Sequence, residues 1–247
     1  MSGHARADTD ACTTAPVDPA TRAMAVEVAA PDGGGPFVYP LFAPAKGSEF
    51  PAVSKDGKVI VQLFHEGEDF SGAPITTLMF WSNRGTVIAR YSLGSSNAAR
   101  ADGVDAKVPT KAEAALGKAA NARLATRRWR PLAVHPACAP ADAPVDDSDH
   151  SSTVQLDGDV AVTFDPVEQR LVSTRRGRTT KLRATFSSHG TRMGEDSHGG
   201  CGQITRLDYG FGGRDLGVAI LVPDASLGGD SCFGLPTSDN ALAIKLR

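Results

Sequence analysis

The sequence predicts a mainly β chain, made of antiparallel meanders with one packed α-helix at about residues 110–128. Three observations carry that expectation. Residues 50–93 run strand, turn, strand, with Asp56-Gly57 and Asn83-Arg84-Gly85 as turn residues between apolar runs. The same punctuation returns in the second half at Asp157-Gly158, Asp165-Pro166 and Arg176-Gly177. One stretch, 110–128, combines helical spacing with a helix-start signal.

Taken in order, residues 1–36 are rich in Ala, Pro, Asp and Gly and offer one short strand at 23–29, which predicts a loosely ordered N-terminal tail. The triplet Gly33-Gly34-Gly35 reads as linker, because a phosphate cradle needs a strand before it and a helix after it. Residues 37–247 are expected to form a single β-rich domain of three meanders, 37–93, 129–186 and 203–247. In the first, Val59, Val61 and Leu63 alternate with Ile60, Gln62 and Phe64, and Leu78 and Phe80 alternate with Met79 and Trp81. Both faces are largely apolar, so the sheet should be covered on both sides. Val59, Val61, Leu63, Leu78, Phe80, Val87 and Ala89 are expected in one core.

Pro51-Ala52-Val53-Ser54-Lys55-Asp56-Gly57-Lys58-Val59-Ile60 resembles the P-x-x-S-x-D-G-K-x-I signature of TolB-like propeller repeats. The resemblance implies a strand-turn-strand unit with Asp-Gly at the turn, and a propeller-like or stacked-sheet arrangement of the meanders. It implies no particular chemistry, since blades of this kind serve scaffolds, receptors and hydrolases alike.

The helix begins with a capping box, Thr110-Lys111-Ala112-Glu113. Ala112, Ala115, Leu116, Ala119, Ala120 and Leu124 recur at helical spacing and predict a narrow packing stripe through Ala115, Leu116 and Ala119. Arg123, Arg127 and Arg128 suit the negative end of the helix dipole and need no nucleic acid to explain them. Beyond it, strands are expected at 129–134, 153–156, 160–164, 170–174, 181–186, 204–209, 216–222 and 241–246, with a loop at 137–150. Arg175, Arg176, Arg178, Lys181 and Arg183 fall on a hairpin tip and read as solvated hairpin charge.

A formal net charge of -2, with both signs dispersed, gives no nucleic-acid footprint. No apolar run reaches the roughly 18 to 20 residues of a membrane-crossing helix. Four cysteines, an even number among Gly- and Pro-rich turns, predict two disulfides, Cys201 with Cys232 and, by elimination, Cys12 with Cys138. That framework points to an extracytoplasmic protein, periplasmic or secreted, with its signal removed; the alternative is a cytoplasmic chain with four thiols.

Three constellations could carry chemistry. His189, His198 and Cys201 offer zinc-type ligands without a paired knuckle, so the expectation is no cofactor, with zinc as the alternative. His135 and Gly229-Asp230-Ser231-Cys232 resemble fragments of a chymotrypsin-like triad, but Cys232 stands where that motif has glycine. His65, Glu66, Glu68 and Asp69 form an acidic segment leaving a central strand, read as a ligand loop. No complete catalytic set results. The expectation is a non-catalytic exported binding or scaffold protein for an unknown protein or small ligand; the alternative is a metal-dependent protein or hydrolase using residues 187–202.

Overall fold

The computed structural model describes residues 14–28, 42–45, 49–68, 74–93, 111–138, 151–183, 186, 204, 206–224 and 240–246, the side chains of residues 42, 43, 66–68, 74, 75, 93 and 113 excepted. The protein is mainly β, with antiparallel sheets and, among the elements that can be described in full, one α-helix. Two compact units divide it, residues 17–132 and residues 133–247 together with 1–16.

In the unit formed by 17–132, β1 (Val26–Val28) pairs with β2 (Phe42–Pro44). The main sheet runs β6-β5-β4-β3-β7, from β3 (Ala52–Ser54), β4 (Val59–Glu68), β5 (Pro74–Ser82), β6 (Val87–Leu93) and β7 (Trp129–Pro131). Residues 51–60 form β3, its turn and the start of β4. Gly57 takes φ +70, where a side chain would be strained, and its N–H donates to Ser54 O at 2.8 Å. Asp56 Oδ1 accepts from Ser54 Oγ at 2.6 Å and from the Lys58 N–H at 3.2 Å, and these bonds, the hydroxyl's first, hold its carboxyl below the usual range.

Residues 59–64 and 76–81 are buried without exception, as two-sided apolar strands require. One face joins Val59, Val61, Leu63, Leu78 and Phe80 to Met24, Val26, Ala52, Ala120, Leu124 and Trp129. The opposite face carries Phe64 edge-on to Trp81, ring centroids 6.1 Å apart. Val87 departs from the expected core. A bulge sets Phe80 opposite Ala89 but Trp81 opposite Val87, which turns Val87 to the other face of an edge strand and leaves it 48% exposed.

Helix α1 (Lys111–Ala125) presents a different stripe from the one expected: Gly117, Ala120 and Leu124 are buried, whereas Ala115, Leu116 and Ala119 are exposed. The reason is close packing on β1. A Cβ on Gly117 would lie 2.3 Å from Val28 Cγ2, so glycine lets the helix approach and selects that face. Thr110 lies outside the described residues. Part of the stretch expected as a loose tail is also held: Arg22 and Trp129 exchange both backbone hydrogen bonds, and Met24 and Val26 are core residues.

The unit holding 133–247 contains one eight-stranded sheet, ordered β12-β11-β10-β9-β8-β13-β14-β15. Its strands are β8 (Val134–Cys138), β9 (Ser152–Asp157), β10 (Val160–Asp165), β11 (Arg170–Arg175), β12 (Arg178–Lys181), β13 (Leu207–Gly213), β14 (Val218–Pro223) and β15 (Leu242–Lys245), with a 3-10 turn at Arg214–Leu216. Val154, Leu156, Val162, Phe164, Leu171, Leu207, Ala219, Leu221 and Ile244 form its core. The strand expected at 181–186 starts at Arg178 instead. Arg176 and Gly177 both take positive φ, 48° and 74°, which makes a two-residue hairpin turn and pairs Arg175 directly with Arg178.

Candidate anion-binding cavity

The β11–β12 hairpin supplies one wall of a cavity of about 570 Å³. Cross-strand partners share a face, so Val160, Arg175 and Arg178 form one row and Ser173 and Thr180 the next. All five line the cavity, with Leu182 beyond them. From the other end of the sheet come Lys245 and Leu246 of β15 and its continuation, together with Arg214 of the 3-10 turn. The two edge strands of one sheet, β12 and β15, therefore border the same space.

The lining is both basic and apolar. Arg175, Arg176, Arg178, Arg214 and Lys245 share it with Val160, Leu182 and Leu246. Asp159 accepts from Arg176 Nε at 3.2 Å and lies 3.6 Å from Arg214 Nη1, and Asp157 Oδ2 accepts from the Arg214 backbone N–H at 2.7 Å. Arg175, Arg178 and Lys245 have no carboxylate partner among the described residues. Like charges directly opposite in a sheet, as at Arg175 and Arg178, oppose the pairing, and an anion between them relieves that repulsion.

Of the site residues singled out from the sequence, the described ones, His65, His135 and Cys138, do not line this cavity. Cys12, Asp69, His189, His198, Cys201, Ser231 and Cys232 are outside the described residues. His65 to Glu68 is not a loop but the end of β4, paired with β5 across a bulge, because Thr76 and Pro74 continue the ladder opposite it. Burial lowers the His65 pKa. Cys138 closes β8. His135, also in β8, bonds Thr14 Oγ1 through Nδ1 at 2.9 Å; burial lowers its pKa, against the raising influence of Asp157 and a backbone hydrogen bond with Gln155. No group of three or more metal-ligating side chains occurs among the described residues.

A second charged cluster joins Arg206 to Asp224 by an ion pair beside Asp208, whose carboxyl is pushed up first by burial and then by Asp224. It lines no cavity that is described. The basic cavity was missed because its hairpin arginines look like ordinary surface charge in one dimension. The available signal was Arg-Arg-Gly-Arg at 175–178, where a two-residue turn puts the first and last arginine side by side. Arg214 and Lys245 had none, since only the pairing of β14 with β15 and the curl of the sheet bring them there.

Comparison with protein-family models, curated proteins and solved structures matched none of them.

Proposed function

We propose that this is a non-catalytic binding protein that takes an anionic ligand with an apolar part into the cavity bordered by β11, β12, Arg214 and β15. The observation that carries the reading is the set Arg175, Arg178 and Lys245, three cations without a described carboxylate partner, sharing the lining with Val160, Leu182 and Leu246. Convergent cations beside low-dielectric side chains concentrate anions, and arginine forks match carboxylate, sulfonate and phosphate oxygens. The even count of four cysteines supports an extracytoplasmic site of action, periplasmic or secreted. We keep the TolB-like reading for the β3-turn-β4 unit alone.

The test is a fluorescence titration with 8-anilinonaphthalene-1-sulfonate, a sulfonate on an apolar body. Saturable binding is expected, weakened about tenfold or more by combined Arg178→Glu and Lys245→Glu, which is the loss of about 1.4 kcal/mol or more. Both side chains are exposed, so the variant should keep its thermal stability. Equal binding by the variant and the parent would remove the cavity from consideration.

A further inference from the structure

We infer that the ligand of this cavity is an extended acidic segment of a partner protein, added as a strand to the free edge of β12; this rests on the anion-binding reading above. Among the described residues β12 pairs with β11 alone and β15 with β14 alone, so each ends the sheet. The direction of the open backbone groups follows from the hairpin. In a two-residue hairpin Arg175 and Arg178 form a hydrogen-bonded pair, and pairs alternate from there. The Leu182 N–H donates to Leu171 O at 2.9 Å, in step with that alternation. The N–H and C=O of Thr179 and Lys181 therefore point away from β11, along the edge, and no partner for them occurs among the described residues.

An unprotected edge of this kind is a template for another strand, and proteins guard such edges with charge. Here the guard is uniformly positive. Lys181 and Arg178 on β12, together with Arg214 and Lys245, which line the cavity with Arg178, repel a basic strand and attract an acidic one. The edge also dictates a pattern. A strand entering antiparallel meets Leu182, Lys181, Thr180, Thr179 and Arg178 in turn, which favours apolar, acidic, small, β-branched and acidic residues in that order. Its apolar and final acidic side chains face the cavity, towards Leu182 and Arg178.

The experiment titrates the protein with acetyl-Thr-Val-Glu-Ser-Val-Asp-Thr-amide by isothermal calorimetry. Its comparisons are the same peptide N-methylated at the amides that would face β12, a Lys-for-acid version, and pyrophosphate. Saturable one-to-one binding is expected, about tenfold or more weaker after N-methylation and absent for the Lys version. Lys181→Pro removes one outward N–H without touching the bonds to β11, so it should weaken peptide binding while sulfonate binding persists. Equal affinity for the N-methylated peptide, or sulfonate or pyrophosphate binding without peptide binding, overturns strand addition and leaves the anion site standing. Concentration-dependent dimerisation with no peptide binding also overturns it, by putting a second copy of the chain at the edge. Failure of every anion would remove both readings.

Discussion

The side chain of Asn121 holds the backbone of Val26 at both of its polar groups: the Val26 N–H donates to Asn121 Oδ1 at 2.8 Å, and Asn121 Nδ2 donates to the Val26 C=O at 2.8 Å. One amide side chain on a helix thus does for β1 what a neighbouring strand would do. Asn121→Ala leaves two partly buried backbone groups unpaired and should cost about 2 to 4 kcal/mol, near 1 to 2 for each group. Asn121→Asp keeps the acceptor and loses the donor, so it should fall between the two in urea unfolding. An alanine variant as stable as the parent would mean that water replaces both bonds.

Gly117 and Val28 make the same junction sterically. Alanine at 117 would raise helix propensity by about 1 kcal/mol in isolation. Its Cβ would, however, meet Val28 Cγ2 at 2.3 Å and Val28 Cβ at 3.0 Å, and a β-branched side chain on a strand has little room to turn away. Gly117→Ala should therefore destabilise by about 1 to 3 kcal/mol. The double change with Val28→Ala should recover part of that loss, and a coupling of about 0.5 kcal/mol or more in the cycle is the measurable sign of contact.

These junctions explain what could and could not be read in one dimension. Residues 59–64 and 76–81 declare themselves because alternation and turn dipeptides are local, and the pairing of β10 with β11 follows from the same signals. The buried face of α1 does not, because a glycine and an asparagine decide it and apolar periodicity counts neither. The cavity is less legible still. Arg178 and Lys245 come together only after eight strands have been ordered into one sheet, a long-range outcome that no spacing encodes.

Stability should fall as the pH drops below neutrality, and two imidazoles fix the direction. Burial lowers the pKa of both His65 and His135 from the ordinary 6.5. Below that value the unfolded chain binds protons that the folded chain resists, so stability is full above about pH 6.5 and declines as pH falls through the lowered folded values. Asp56 adds a loss of the same sign only in the acid range, as pH falls from 3.8 through its depressed pKa. Asp208 acts oppositely, because its raised pKa means that stability declines as pH rises from 3.8 through the folded value. Urea midpoints between pH 7 and 5 should therefore fall, and His135→Gln should flatten the slope. An unchanged slope in that variant would locate the titration elsewhere.

The bulge between Phe80 and Trp81 makes a prediction that separates Val87 from Ala89, two residues further along the same strand. Without it, Val87 and Ala89 would lie on one face and a charge at either would be equally costly. With it, Ala89 packs beside Phe80 and Tyr91 against the core, and Phe80 and Tyr91 meet edge to face at 6.0 Å. Val87 sits across from Trp81, with nearly half its surface exposed. Val87→Lys should therefore change stability by no more than about 0.5 kcal/mol, the range of ordinary surface substitutions. Ala89→Lys must push an ammonium against the ring of Phe80 and should cost about 1 to 3 kcal/mol by overpacking alone. Phe80→Ala, at the centre of the same face, should cost about 3 to 5 kcal/mol. Thermal or urea unfolding of the three variants checks the order, and a Val87→Lys loss as large as that of Ala89→Lys would place the register shift elsewhere on β6.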